Sequence, residues 1–394
     1  MVYKNFQLPD GTRLDIETQN GKIIKIGKVE SSNAKDMKGD YILPKLVDLN
    51  VRLKDGTLSA KTVQECVQDA QVGGVGHIVL QPDSNPPIDD EVVLEYAQNA
   101  IKETKEIGID LLIDALQEDL SLSNIAILLK KGALSARMST IAKNDIAMKV
   151  AQYMQMYKRT LFCKAEDNSL ISAGVMFEGD VSSKLGLAGI PELSEVVHVS
   201  RMIEIARYYD IAIHFQSIAS PRSLEMIEKA KNEGVKLSAE VSLHHLVFSD
   251  LACENFNTTA KIDPPLVDES MRKELIKALQ NGRVETLTLL HQPSSPVNKE
   301  VAFYDAAYGS SALSDAWALY YTKLVKSGIV SLEDVVKTAV ENPSRLAGIE
   351  VPKLEIGESI EKFVALDVDS SYKVSNSNSL YNGEEIFGKT TSLS

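Results

Sequence analysis

Cysteine is scarce in this 394-residue chain: Cys66, Cys163 and Cys253 stand far apart and are odd in number. Such a set excludes a disulfide framework, and no Cys-x-x-Cys pair offers a metal knuckle. No apolar run reaches membrane-spanning length, and the opening Met1-Val-Tyr-Lys-Asn-Phe-Gln has no apolar signal core. The expected location is therefore the cytoplasm, with no membrane partner. Blocks of Lys and Arg are missing and the net charge is -13. Nucleic acid is excluded as an expected partner, because phosphate binding needs a basic face. We read the acidity as a solubility feature rather than as a site. A Gly-x-Ser-x-Gly elbow is absent as well, which removes that route to a serine hydrolase.

The chain is 44% hydrophobic, ample for one large core with an accessory domain. Residues 1–43 read as short strands and turns, with a hairpin signal at Lys22-Ile-Ile-Lys-Ile. The tail from 352 to 394 has the same character. We expect one composite β-domain built from 1–43 and 352–394, flanking a barrel over 44–351. In that centre, apolar strand candidates at 78–80, 110–114, 160–162, 211–213, 237–241 and 286–290 alternate with helical patterns at 90–104, 192–209 and 221–233. Repeated strand-then-helix units over this length predict a distorted (β/α)8 TIM barrel of α/β class, with its site at the C-terminal strand ends. The Ser/Asn-rich stretch 370–379 reads as a surface loop.

Several motifs follow in order. Pro44-Lys-Leu-Val-Asp-Leu-Asn-Val-Arg-Leu resembles Pro-Gly-x-x-Asp-x-His-x-His-Leu-Arg. Gly73-Gly-Val-Gly-His-Ile-Val-Leu-Gln-Pro-Asp-Ser-Asn-Pro-Pro is similar to a Gly-Gly-x-Thr strand with its Met-Pro-Asn-Thr-x-Pro loop. Leu185-Gly-Leu-Ala-Gly-Ile-Pro resembles Leu-Gly-Leu-x-Gly-Ile-Pro, and Glu195 and Arg201 follow it. Ser238-Ala-Glu-Val-Ser-Leu-His-His-Leu is similar to Thr-Ala-Glu-Val-Thr-Pro-His-His-Leu. Ala260-Lys-Ile-Asp-Pro-Pro-Leu resembles Ala-Lys-x-Asn-Pro-Pro-Leu, and Glu341-Asn-Pro-Ser-Arg resembles a late Asn-Pro-Ala-Arg helix. Together these stretches resemble dihydroorotase of the type found in multifunctional complexes, within the amidohydrolase superfamily.

That resemblance implies a zinc site, and it places the family ligands on Asn50, Arg52, Lys164 and Ser217. The bridging ligand falls near Met138 or Ser139, and the catalytic aspartate falls on Leu290. Neutral imidazole is a good zinc ligand, whereas Asn is a poor one and Arg a permanent cation. At an effective dielectric of about 20, one unit charge repels another by roughly 4 kcal/mol at 4 Å, and a divalent ion feels about twice that. Arg52 and Lys164 therefore make the old site hostile to metal. We expect no cofactor, with the family's zinc absent, and no catalytic residue at these positions. The substrate grips are altered too: Lys54 replaces an arginine, Asp83 an asparagine, Val267 an arginine and Thr259 an asparagine. Lys cannot reproduce the bidentate arginine fork, and Asp83 repels a carboxylate.

Other readings of the same residues stay open. Asp48 is a candidate partner for Arg52, forming a buried pair in place of the metal. His214 and His291 lie at strand ends and are candidates for a rebuilt metal site, although four convergent ligands are needed. Cys163 beside Lys164 is a candidate reactive thiol, against its reading as a small buried hydrophobe. Asp48, Arg52, Lys54, Asp83, Lys164, His214, His244, Lys261 and His291 are the candidate lining of an emptied, anion-binding pocket. The leading expectation is a dihydroorotase-like pseudoenzyme of pyrimidine biosynthesis. The resemblance implies a structural role beside aspartate carbamoyltransferase, with a homodimer as a further possibility. Its rivals are an active cyclic-amide hydrolase with a rebuilt site and an anion sensor.

Overall fold

The computed structural model describes residues 1–138 and 142–393. Eight strands run parallel in chain order: β1 (Leu46–Val51), β2 (Val75–Leu80), β3 (Gly108–Asp114), β4 (Ser135–Met138), β5 (Leu161–Lys164), β6 (Ile213–Gln216), β7 (Leu237–Ser242) and β8 (Thr286–Thr288). Each pairs with the next, as a (β/α)8 barrel requires. The seam between β1 and β8 is joined by Asp48, whose carboxylate accepts Thr288 Oγ1 at 2.7 Å and Leu289 N at 2.8 Å. Just beyond it, Arg52 N–H donates to the His291 carbonyl at 2.8 Å.

Strand alternation separates two cores. Ile78, Leu80, Leu111, Ile113, Leu161 and Cys163 face outward into the large cluster shared with the helices. Val47, Leu49, Val79, Leu112 and Phe162 form a smaller cluster inside the ring, where Ala347 of helix Asn342–Ala347 joins them. Loops after the C-terminal ends of β5, β7 and β8 build a satellite core of Val175, Met176, Ile262, Leu266, Leu290 and Phe303. Strands from both ends of the chain form one seven-stranded sheet, in which Phe363–Lys373 pairs antiparallel with Tyr41–Pro44. Among the described residues, no helix is long and apolar enough to cross a membrane.

Two local readings of the sequence are corrected. β4 was not anticipated, because Ser135-Ala-Arg-Met is short and lacks a β-branched run. The stretch 370–379 is not simply a surface loop: its first residues continue a strand, and Asn378 and Ser379 are buried. Asn378 Oδ1 accepts the Ser294 N–H at 2.9 Å, which explains why a polar segment is drawn inward.

The Gly73-Gly74 pair has a packing cause. Helix Ala60–Gly73 ends on Gly74 in the left-handed region at φ +77°. A Cβ on Gly73 stands 1.9 Å from the Leu313 carbonyl oxygen, a backbone atom. We expect Gly73→Ala to destabilise the chain by about 1–3 kcal/mol, the usual range for overpacking, as read by urea unfolding.

Candidate active site

At the C-terminal strand ends, where this fold carries its chemistry, the polar side chains pair with one another in two adjacent groups. Asn50 is buried on β1. Its amide Nδ2 donates to Ser217 Oγ at 2.9 Å and to Glu240 Oε1 at 2.8 Å, and its Oδ1 accepts Arg52 Nη1 at 2.9 Å. Arg52 turns its Nε and Nη2 onto Asp83 Oδ2 at 3.1 and 2.9 Å. A second guanidinium, Arg137 of β4, reaches the same oxygen at 3.1 Å and donates from Nε to Gln216 Oε1 at 2.9 Å. Lys164, at the end of β5, lies between Asp263 at 2.6 Å and Glu166 at 2.9 Å. Ser217, at φ +50°, donates its backbone N–H to Glu240 Oε1 at 3.2 Å. Gln81 and Gln216 both donate to the Leu49 carbonyl, at 2.7 and 3.3 Å.

These groups bring together Asp48, Asn50, Arg52, Asp83, Lys164, His214 and Ser217 from the expected set. The proposed Asp48–Arg52 pair does not form. Arg52 takes Asp83, while Asp48 accepts its own backbone neighbour Asn50 N–H at 2.9 Å besides the two β8 donors. Burial and nearby Glu240 push the Asp48 carboxyl up to about 6. The cation-rich mouth expected from the sequence is also corrected. Arg52, Arg137 and Lys164 are surrounded by Asp48, Asp83, Glu166, Glu240 and Asp263. Burial opposes the Asp83 charge, but Arg52 and Arg137 outweigh it and hold the carboxyl far below the usual carboxylate range.

The remaining candidates lie elsewhere. Lys54 lines a separate cavity of about 320 Å³ with Thr62, Cys66 and Asp69; His291 borders it. His291 Nδ1 accepts the backbone N–H groups of Ala312 and Leu313, both at 3.2 Å, so it anchors a loop. His244 Nδ1 meets the Tyr381 hydroxyl at 3.1 Å. Lys261 donates to the carbonyls of Phe303 and Tyr304, each at 2.8 Å, and faces the Tyr308 ring. Leu290 packs in the satellite core. Met138 packs outward among the helices, and Ser139 lies outside the described residues. Cys163 is fully buried against His198 Nε2 at 3.4 Å, with its thiol pushed up to about 12 by burial, so the reactive-thiol reading fails.

The donor set does not fit zinc. The family's ligand positions present an amide, a guanidinium, an ammonium and a hydroxyl, and the nearby carboxylates already accept hydrogen bonds. His214 Nε2 and Glu240 Oε2 lack hydrogen-bond partners and lie 3.7 Å apart, but two donors fall short of the four a tetrahedral site needs. Among the described residues, no group of three or more His, Cys, Asp or Glu side chains gathers to hold a metal. Space is short as well. The void beside Arg52 and Asp83 is about 10 Å³, and the one beside Glu166 and Pro264 about 40 Å³. Small-molecule pockets run to roughly 300–1,000 Å³.

Sequence reasoning missed Arg137, Glu240, Asp263 and Glu166. Glu240 and Asp263 stand inside motifs that were matched and Glu166 lies two residues after Lys164, with their charge unassigned. Arg137 was findable only once β4 was known, since alternation with Met138 sends it to the opposite face.

Two titration experiments follow. Asp83 is ionised with a lowered folded pKa, so its stabilisation is complete above its unfolded value and is lost progressively as pH falls from there through the folded one. The melting-temperature gap between wild type and Asp83→Asn should stay constant from neutral pH to mildly acidic pH, then narrow below about pH 3.8. His244 has the same sign at a higher pH: burial, with His245 and His291, holds it down to about 3. The unfolded chain takes up this proton below about pH 6.5 and the folded chain does not, so its contribution falls with acidification at about 1.4 kcal/mol per pH unit. The gap between wild type and His244→Asn should shrink steadily from pH 7 to pH 4, read by differential scanning calorimetry.

Comparison with known proteins places the sequence in a family. Residues 39–222 match the family model described as dihydro-orotase-like. The chain is 32% identical over 385 residues to a dihydroorotase of Elusimicrobium minutum, covering 96% of this chain and 87% of that protein. It is 31% identical over 391 residues to a dihydroorotase of Ruminiclostridium cellulolyticum, covering 95% and 91%. An L-hydantoinase of Arthrobacter aurescens shares the fold, with a TM-score of 0.84 at 22% identity over 99% of this chain and 94% of that one. An eight-stranded barrel, a composite terminal sheet and near-full-length similarity to two dihydroorotases lead to one conclusion: the chain belongs to the dihydroorotase family.

Proposed function

We propose that this chain is a dihydroorotase-like protein of pyrimidine biosynthesis that has lost its metal ligands and does not catalyse ring closure or opening. Its role is then structural, as an assembly partner of aspartate carbamoyltransferase. The observation that carries this reading is the state of the ligand positions. Asn50, Arg52, Lys164 and Ser217 are each held by other side chains of the same chain. Ring closure of a carbamoyl group, or its reversal, needs a Lewis acid on the carbonyl and a carboxylate to move the proton. Zinc would supply the first, and Leu290 stands where the second is expected. A barrel that keeps its whole core while filling its mouth retains its outer surface as the usable part, which supports a partner-binding role.

The similarity to proteins named dihydroorotase over nearly the whole chain favours a second reading, an active hydrolase with a rebuilt site. The anion-sensor reading loses its support, because Arg52 and Lys164 already have acidic partners and Lys54 lines another cavity.

Elemental analysis and turnover assays on the purified protein separate the two readings. We expect sub-stoichiometric zinc and no interconversion of carbamoyl aspartate and dihydroorotate, with or without added zinc. Stoichiometric zinc together with chelator-sensitive turnover establishes the second reading instead. Affinity capture from native extract at low salt should retain the carbamoyltransferase, and its absence removes the assembly role.

A further inference from the structure

The mouth contains two charge hubs of opposite sign. At the first, one acid is held by two cations: Arg52 Nη2 and Arg137 Nη1 meet the same oxygen of Asp83, at 2.9 and 3.1 Å. At the second, one cation is held by two acids: Lys164 Nζ meets Asp263 at 2.6 Å and Glu166 at 2.9 Å. The members come from separate segments: the residue just after β1, the loop after β2, β4, the end of β5 with its following loop, and the loop after β7. The guanidinium side chains are 10% and 1% exposed, and the Lys164 side chain 19%. These cations therefore have little water to screen them from their neighbours.

In each hub the central charge makes the shortest ion pairs of two like charges. Without the Asp83 charge, two guanidiniums face one neutral group. Without the Lys164 charge, two carboxylates face each other. In the motif comparison, Arg52 and Lys164 stand at histidine positions, while Asp83 and Asp263 stand at asparagine positions. Each gained cation thus lies against a gained acid.

We propose that these two hubs are paired charge replacements that tie the strand ends together where relatives use a bound ion, so that each satellite charge stabilises the fold only while its hub is present. This rests on the metal-free reading of the mouth. It goes further by assigning Asp83 and Lys164 as the positioning centres, with Arg52 and Asp263 as their dependent partners.

The signature is a reversal of sign. In the wild type, Arg52→Met and Asp263→Asn should each lower the melting temperature. In an Asp83→Asn background Arg52→Met should raise it, because it removes one of two facing cations. In a Lys164→Met background Asp263→Asn should raise it, because it removes one of two facing acids. Where Asp83→Asn alone does not fold, folding of Asp83→Asn with Arg52→Met counts as the reversal and its failure to fold counts against it. The Lys164 hub is read in the same way. Reversal at either hub supports the proposal, and the same sign in both backgrounds at both hubs overturns it. All melts are run with EDTA and again with added zinc. A zinc-dependent rise for the wild type rejects the metal-free reading on its own, and it leaves the sign test to be read in EDTA.

Discussion

A guanidinium cannot shed its proton inside a protein, so a buried one must be given an anion or a set of acceptors. Arg137 is 1% exposed in the heart of the barrel mouth, and Arg52 is scarcely more open. This constraint organises the site. Asp83 lies between the two arginines, Gln216 accepts from Arg137, and Asn50 accepts from Arg52 while donating to Ser217 and Glu240. Removing the anion while keeping the cations leaves an uncompensated charge. Removing the cations while keeping the anion leaves acceptors without donors.

The same network accounts for what the mouth can and cannot hold. Each polar group turned toward a neighbour is a group withdrawn from a ligand. The side chains that satisfy one another also occupy the volume, leaving about 10 Å³ beside Arg52 and Asp83, at the lower limit for a single water. The apolar layer below, with Val47, Leu49, Val79, Leu112 and Phe162, is undisturbed. The barrel core and the polar mouth are therefore separate layers of the structure. This separation between scaffold and site is general, because function is placed on a fold by a few residues at strand ends.

Much of the fold was legible in the chain itself. The strand-then-helix rhythm, the β-rich ends and the ordered motifs sufficed for the barrel class. The unlike residues at 50, 52, 164, 217 and 290 were visible as departures from the matched patterns. Legibility failed where the signal is short or depends on alternation. β4 spans four residues, so Arg137 could not be assigned to the interior. The strand at 213–216 was read two residues early because Ile211-Ala-Ile213 is apolar throughout.

What the sequence alone determined was the inventory: a barrel-forming pattern, and cations, an amide and a hydroxyl at positions where ligands were expected. What only the tertiary structure decided was the pairing. Arg52 finds Asp83 rather than Asp48, and Lys164 finds an acid 99 residues away. The physical reason is that charge partners are chosen by distance and burial across strand ends. Neither quantity is a local property of the chain.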